Sequence, residues 1–252
     1  MIEIRGLYKQ LGGQQVLKGL DLDIMDGEIF TLLGGSGVGK SVFLKNILGL
    51  MKPDKGSIKI DGIEVTRASR KQLTKVLSTV GMLFQGGALF DSLTVGENVA
   101  FGLKRLTNNT EDQIKKLVTK YLEMVELRGV ENKLPESLSI GMKRRVALAR
   151  SIATSPRYIF YDEPTTGLDP ITTDVISDMF LDLQNKLKLT SVIVTHDLQT
   201  AFKVSDRIAL LHGGVIVEVD TAGNFRKSEN PHVKQFIAGT RKIFVNNTDK
   251  DK

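Results

Sequence analysis

Eight residues, Gly34-Gly35-Ser36-Gly37-Val38-Gly39-Lys40-Ser41, constrain this chain more than any other stretch. They follow the apolar run Ile29-Phe30-Thr31-Leu32-Leu33 and open a helix-like stretch from Val42 to Leu50. A glycine-rich turn aims successive backbone N–H groups into one concavity, and a helix N-terminus adds the positive end of its dipole. Lys40 can reach the terminal phosphates of a nucleotide, and the Ser41 hydroxyl can ligate Mg2+. The plainer reading is a flexible strand-to-helix turn. The strand before the segment and the helix after it favour phosphate binding, which implies a nucleoside-triphosphate site.

A chain of 252 residues with 41% apolar content can build one large α/β domain, or a core with a smaller lobe. Cysteine is absent, which removes disulfides and thiolate metal sites and fits a reducing compartment. His196, His212 and His232 are scattered and give no metal-ligand spacing. The formal charge of +6 comes from 35 basic and 29 acidic side chains. Such an excess is compatible with an anionic membrane surface or a polyanion, but the two signs are interspersed and discriminate little. No stretch approaches the roughly 18 consecutive apolar residues of a membrane span. The start, Met1-Ile2-Glu3-Ile4-Arg5, reads as a strand without a secretory apolar region. The expectation is a soluble protein whose membrane association runs through a partner.

Strands are expected at Ile2 to Leu7, Val16 to Ile24 and Glu28 to Leu33, joined by turns at Gly12-Gly13 and Asp26-Gly27. Ser57 to Ile60 alternates as a half-buried strand, and Val80 to Phe84 is a short apolar run. Helical periodicity then covers Thr94 to Leu103, Thr110 to Val125 and Ser139 to Ala153, so that about 86–150 reads as an inserted helical lobe. Strands resume at Tyr158 to Tyr161, Thr190 to Val194 and Arg207 to Leu211, with a helix from Thr172 to Leu187 between the first two. Alternation of this kind implies a mostly parallel sheet. Residues 241–252 read as a polar, frayed tail.

Asp162-Glu163 ends one buried strand, and Thr195-His196-Asp197 ends another on the same sheet edge, where open α/β sheets bind ligands. One carboxylate beside a phosphate loop can hold Mg2+ through water, and a second can orient and deprotonate an attacking water. His196 is placed to contact the terminal phosphate or that water. Ser139 is a candidate N-cap, and the helix it starts, with Gly141 near its end, offers a second anion-binding element. Capping alone is the sober alternative for Ser139.

Assembled, these residues resemble the nucleotide-binding subunit of ABC transporters over nearly the whole length. The resemblance implies an α/β P-loop NTPase (RecA-like) fold. This comprises a mostly parallel sheet core (about 1–85 and 151–240), an N-terminal antiparallel β subdomain, and an α-helical subdomain inserted at about 86–150. It implies Walker A at Gly34 to Ser41, a Q-loop at Gln85 that also senses the metal, and Walker B ending at Asp162. It further implies catalytic base Glu163, D-loop Gly167-Leu168-Asp169 and switch histidine His196. The signature segment is Leu138, Ser139, Ile140, Gly141 and Met142, acting in trans on the nucleotide of a second copy. ATP and Mg2+ are the implied cofactors.

Within that family the segments Phe84 to Val95 and Asn230 to Gly239 resemble the ATPases of MCE-linked lipid transport, the maintenance-of-lipid-asymmetry (Mla) type. That likeness implies a head-to-tail dimer, an integral membrane permease, an MCE-domain substrate-binding protein and, in some systems, a STAS-domain regulator. It places the chain at the cytoplasmic face of the inner membrane, peripheral through the permease. An importer ATPase for amino acids or another small solute, and a weakly hydrolysing regulatory dimer, are the alternatives. Direct nucleic-acid action is not expected, because there is no basic-aromatic stripe and no tandem cassette. Two positions depart from the family pattern. Ile140 stands where glycine is usual, so positive φ and bulk near the triphosphate are expected to be costly. Leu11 stands where many relatives stack an aromatic ring on adenine, with Tyr8 nearby, so base stacking is expected to be weak or to come from Tyr8.

Overall fold

The computed structural model describes the backbone of residues 1–248 and side chains through residue 239. The first part of the chain runs β1 (Ile2–Leu11), β2 (Gln14–Ile24), β3 (Ile29–Leu33), α1 (Lys40–Ile47), β4 (Lys55–Ile60), β5 (Ile63–Glu64), α2 (Arg70–Leu77) and β6 (Val80–Leu83). Three helices follow: α3 (Val95–Leu106), α4 (Glu111–Met124) and α5 (Ile140–Ile152). The chain then returns through β7 (Tyr158–Asp162), α6 (Pro170–Leu187), β8 (Thr190–Thr195), α7 (Leu198–Val204), β9 (Arg207–His212) and β10 (Val215–Thr221). It ends in α8 (Ala222–Phe225) and α9 (Pro231–Thr248).

A six-stranded sheet ordered β10-β9-β3-β8-β7-β6 forms the centre, parallel except where β10 meets β9. Every residue of β3 and β8 is buried, as a parallel strand covered on both faces requires. A second, antiparallel sheet ordered β2-β1-β4-β5 lies across one face. Its apolar residues alternate, so Ile2, Ile4, Leu20 and Ile58 pack inward on Phe43 of α1 and Phe160 of β7. On the other face, Val99, Leu122 and Leu148 of the helical segment share a core with Tyr161 and Phe180. The architecture is thus a mixed-sheet RecA-like core with helical insertions.

Register brings the loops of interest to one edge. Leu33 pairs with Thr195, Asp162 with Val194, and Leu83 with Tyr161, all in parallel. The segments that follow β3, β6, β7 and β8 therefore leave the sheet side by side.

Several elements were not expected from the sequence: α2, α7, β10, α8 and α9. The backbone of the expected tail continues α9 as helix through Thr248, and residues 249–252 lie outside the described residues.

Candidate nucleotide site

Gly39, at φ +111, caps the N-terminus of α1 in a backbone region that only glycine enters cheaply. A Cβ there would also sit 2.8 Å from Val16 Cγ1, so the loop closes against β2 only with glycine. Among the described residues, the amides of Gly35, Ser36, Gly37, Val38 and Gly39 donate to no protein acceptor, whereas Gly34 N donates to Thr195 O at 3.3 Å. The result is a row of free N–H donors at a helix N-terminus. The Val38 side chain packs with the core, and Ser36, Gly37, Gly39, Lys40 and Ser41 line a cavity of about 560 Å³.

Lys40 is 6% exposed, and its ammonium donates to Gly34 O at 2.7 Å and Gly35 O at 2.9 Å. It also pairs with Glu163 Oε1 at 3.1 Å. The other Glu163 oxygen, Oε2, meets His196 Nδ1 at 2.8 Å, Thr166 Oγ1 at 3.0 Å and Thr195 Oγ1 at 3.2 Å. Glu163 adopts φ 47, a conformation that costs a non-glycine residue about 1–3 kcal/mol. Its own N–H is tied to Val194 O at 2.9 Å, which holds the turn. Burial pushes the Glu163 carboxyl up, but the charge and hydrogen bond of Lys40, then His196 and Thr166, outweigh it and hold the group below its ordinary value. Asp162 moves the other way: burial and the neighbouring Glu163 charge raise it, against the Ser41 hydroxyl, which donates at 3.4 Å, and Lys40. Adjacent carboxyls in one cleft, driven in opposite directions by burial and a specific charge partner, mark a candidate functional pair.

The residues fit a Mg2+-nucleotide. Free loop amides and a buried lysine suit a polyphosphate, and the Ser41–Asp162 hydroxyl–carboxylate pair suits an oxygen-coordinated cation. No group of three or more His, Asp or Glu among the described residues could hold a metal alone, so nucleotide oxygens would complete its coordination.

Gln85, Glu163, Thr166 and His196 line the same cavity, with Leu11 and Val16 at its apolar end. Tyr8 does not line it; a Cβ on Gly19 would lie 2.6 Å from the Tyr8 hydroxyl, so that ring is packed over β2. Of the two alternatives, stacking by Tyr8 is therefore corrected, and the aliphatic Leu11 and Val16 in the lining fit weak base stacking. Leu138, Ser139, Ile140, Gly141 and Met142 all lie outside the cavity lining. Ser139 caps α5, accepting from Met142 N at 3.2 Å, while Leu138 is buried. Ile140 is the first helical residue, has no positive φ and is 65% exposed. The strain expected there is absent. Asp169 caps α6, accepting from Thr172 N at 3.0 Å, and a Cβ on Gly141 would meet Thr172 Cγ2 at 3.0 Å. The N-termini of α5 and α6 are thus neighbours.

Two residues of this region were missed from sequence. Arg144 is 3% exposed and donates to Phe84 O at 3.3 Å and Thr166 O at 3.2 Å, linking α5 to both loops beside the site. Arg150 donates to Ala88 O and Gly87 O, each at 2.8 Å. The basic Lys143-Arg144-Arg145 run hid the first, because arginine in such a run is ordinarily solvated.

Residues 17–166 match the ABC transporter family, and the chain belongs to that family. It is an ABC-type subunit that binds and hydrolyses ATP with Mg2+. It is 40% identical over 240 residues to the probable ribonucleotide transport ATP-binding protein mkl of Mycobacterium leprae, covering 95% of this chain and 69% of that one. It is 37% identical over 239 residues to the intermembrane phospholipid transport system ATP-binding protein MlaF of Haemophilus influenzae, covering 95% and 90%. To the methionine import ATP-binding protein MetN of Carboxydothermus hydrogenoformans it is 39% identical over 241 residues, covering 94% and 71%. The solved dimeric post-hydrolysis state of the ATP-binding cassette MJ0796, bound to ADP and Pi, superposes with a TM-score of 0.80 at 32% identity, over 88% of this chain and 99% of that one.

Proposed function

We propose that this chain powers an MCE-linked lipid transporter of the Mla type, working as a head-to-tail pair beneath an integral membrane permease. The observation that carries the ATPase half of this reading is the Lys40–Glu163–His196 chain of contacts beside the free loop amides. The lipid half is supported by the two-way coverage of the phospholipid-transport relative and by the Phe84 to Val95 and Asn230 to Gly239 segments. An MCE-domain protein that binds the cargo and a STAS-domain regulator are the further partners of this reading. No described helix is long and apolar enough to cross a membrane; in this reading the permease supplies attachment at the cytoplasmic face.

In this mechanism the loop amides and Lys40 take the β- and γ-phosphates, and Lys40 exchanges its carbonyl and Glu163 partners for them. Mg2+, when bound, neutralises charge developing on the transferred phosphoryl group, and Ser41 and Asp162 are its holders, with Gln85 alongside. Glu163, relieved of Lys40, accepts a proton from the attacking water, and His196 fixes the Glu163 carboxylate through Nδ1. The second copy's Ser139 and Gly141 complete the phosphate shell, consistent with their place outside this chain's own cavity. Asp169 and its neighbours lie beside that signature helix and belong to the same contact face.

The methionine-import relative favours a second reading, a small-solute importer with the same chemistry. Gentle purification of the native assembly, followed by mass spectrometry of proteins and lipids, separates the two. Copurified phospholipid with an MCE-domain protein is the expected result; a solute-binding protein without lipid overturns the lipid reading. A regulatory dimer that barely hydrolyses ATP loses the positive-φ part of its motive at Ile140, while the bulk of that side chain near the partner's triphosphate still favours it, and phosphate release measured in the intact complex separates the two.

A further inference from the structure

A second cavity, of about 290 Å³, opens at the far end of α1 from the phosphate loop. Asn46 of α1 lines it and is 1% exposed. Its Nδ2 donates to Val42 O at 2.7 Å, which fixes the amide orientation, and its Oδ1 has no hydrogen-bond partner among the described residues. A covered carbonyl oxygen of this kind calls for an N–H or O–H donor.

Lys52 and Arg67 also line the cavity, and both are exposed. No described acid pairs with either, and no acid lines the cavity. Asp54, two residues from Lys52, is engaged by Lys9 Nζ at 2.9 Å and Gln10 N at 2.6 Å, and Glu64, three residues from Arg67, by the Thr66 hydroxyl and by Ile58 N at 3.2 Å. The positive surface continues through Arg70, Lys71 and Lys75 of α2, and no Asp or Glu occurs from Val65 to Phe90. The remaining walls include Met51, Pro53, Val65 and Leu73, with no aromatic ring.

These features select a ligand. The two unpaired cations take an anion, the orphan amide oxygen takes a hydroxyl, and the aliphatic walls take a hydrocarbon part. A nucleotide base would find no ring to stack on, and a bare inorganic anion would leave the walls and Asn46 unused. We propose that this cavity binds the glycerophosphate headgroup of an anionic phospholipid, with its phosphate on Lys52 and Arg67 and a glycerol hydroxyl on Asn46 Oδ1. Asn46 lies six residues beyond Lys40 on one helix, about 9 Å along its axis, so this headgroup site shares a rigid element with the nucleotide site. The inference goes beyond the proposed function and depends on neither turnover nor cargo.

The test uses the full chain with Mg2+ and saturating ADP, so that the phosphate loop is filled. Glycerol 3-phosphate is titrated calorimetrically, and vesicles of phosphatidylglycerol in phosphatidylcholine are floated at about 0.15 M salt. Saturable binding and flotation are expected. Combined Lys52→Ala and Arg67→Ala, and separately Asn46→Leu, each weaken glycerol phosphate binding by about tenfold or more, while Lys75→Ala outside the cavity changes it less than about twofold. ADP affinity reports folding of each variant, and the exposed pair keeps the test decisive if Asn46→Leu does not fold. Absence of saturable glycerol phosphate binding overturns the site. An equal loss with Lys75→Ala does so too, leaving only a solvated basic surface. Soluble binding without flotation overturns the lipid assignment.

Discussion

Glu163 is the residue on which the chemistry turns, and its environment makes two predictions. Glu163→Gln keeps the shape and removes the base, so phosphate release should fall by about 10²–10⁴-fold while ATP binding persists. Calorimetry with ATP beside a phosphate-release assay checks both halves; undiminished turnover would remove Glu163 from its role. The second concerns pH. Burial raises this carboxyl, yet Lys40, His196 and Thr166 hold it below the ordinary value, so it is an acid depressed by folding. Such a group contributes stability that is fully present above its unfolded-state pKa and is lost as pH falls through the folded one. Without nucleotide, the wild-type chain should therefore melt above Glu163→Gln at neutral pH, and the gap should close as pH drops below the carboxylate range. Thermal melts across that range read the difference, and a gap independent of pH would deny the Lys40 ion pair its part. The Asp162–Glu163 pair could be read from sequence because two adjacent acids after an apolar run are a local pattern. Arg144 could not, since its burial depends on carbonyls 60 and 22 residues away.

Among the elements, the start of α3 carries most of the connection between the sheet edge and the helical segment. Thr94 and Glu97 form a capping box, which the sequence shows as a Thr followed three residues later by Glu. Asn98, one residue further on, is fully buried. It accepts from Phe90 N at 2.9 Å and donates to the carbonyls of Phe90, Leu93 and Thr94 at 3.0–3.1 Å. This single amide staples the segment that follows Gln85. Asn98→Ala leaves several covered backbone groups unpaired and should cost about 1–3 kcal/mol in denaturant unfolding. A loss within error would show that water replaces the staple. The helices α3 to α5 were legible from their 3.6-residue period and caps. By contrast α2, Arg-Lys-Gln-Leu-Thr-Lys-Val-Leu, is amphipathic but only 8 residues long, too short for a 3.6-residue period to be read against its neighbours. The half-buried β10 gains its strand character from pairing with β9.

For the whole molecule, the telling fact is which motif the nucleotide cavity leaves out. None of Leu138 to Met142 lines it, although Ser139 presents a capped helix N-terminus on the outside. If a second copy brings that helix to the phosphate, Ser139→Ala should lower turnover while leaving the affinity of an isolated chain for ADP unchanged. Light scattering with ATP in a Glu163→Gln background should then show a dimer that Ser139→Ala weakens; equal ADP affinity loss in the monomer would place Ser139 within its own site instead. The sequence by itself determined the phosphate loop, the strands that carry the two acids and His196, and the helical periods. Each of these is written in neighbours along the chain, where backbone conformation and side-chain period are local. Only the tertiary structure decided that Lys40 holds Glu163, that Glu163 holds His196, that Ile140 is unstrained, and that Tyr8 is turned away. Those outcomes depend on parallel register between β3 and β8, more than a hundred residues apart, and between β7 and β8, 32 residues apart, and on packing that no local spacing encodes.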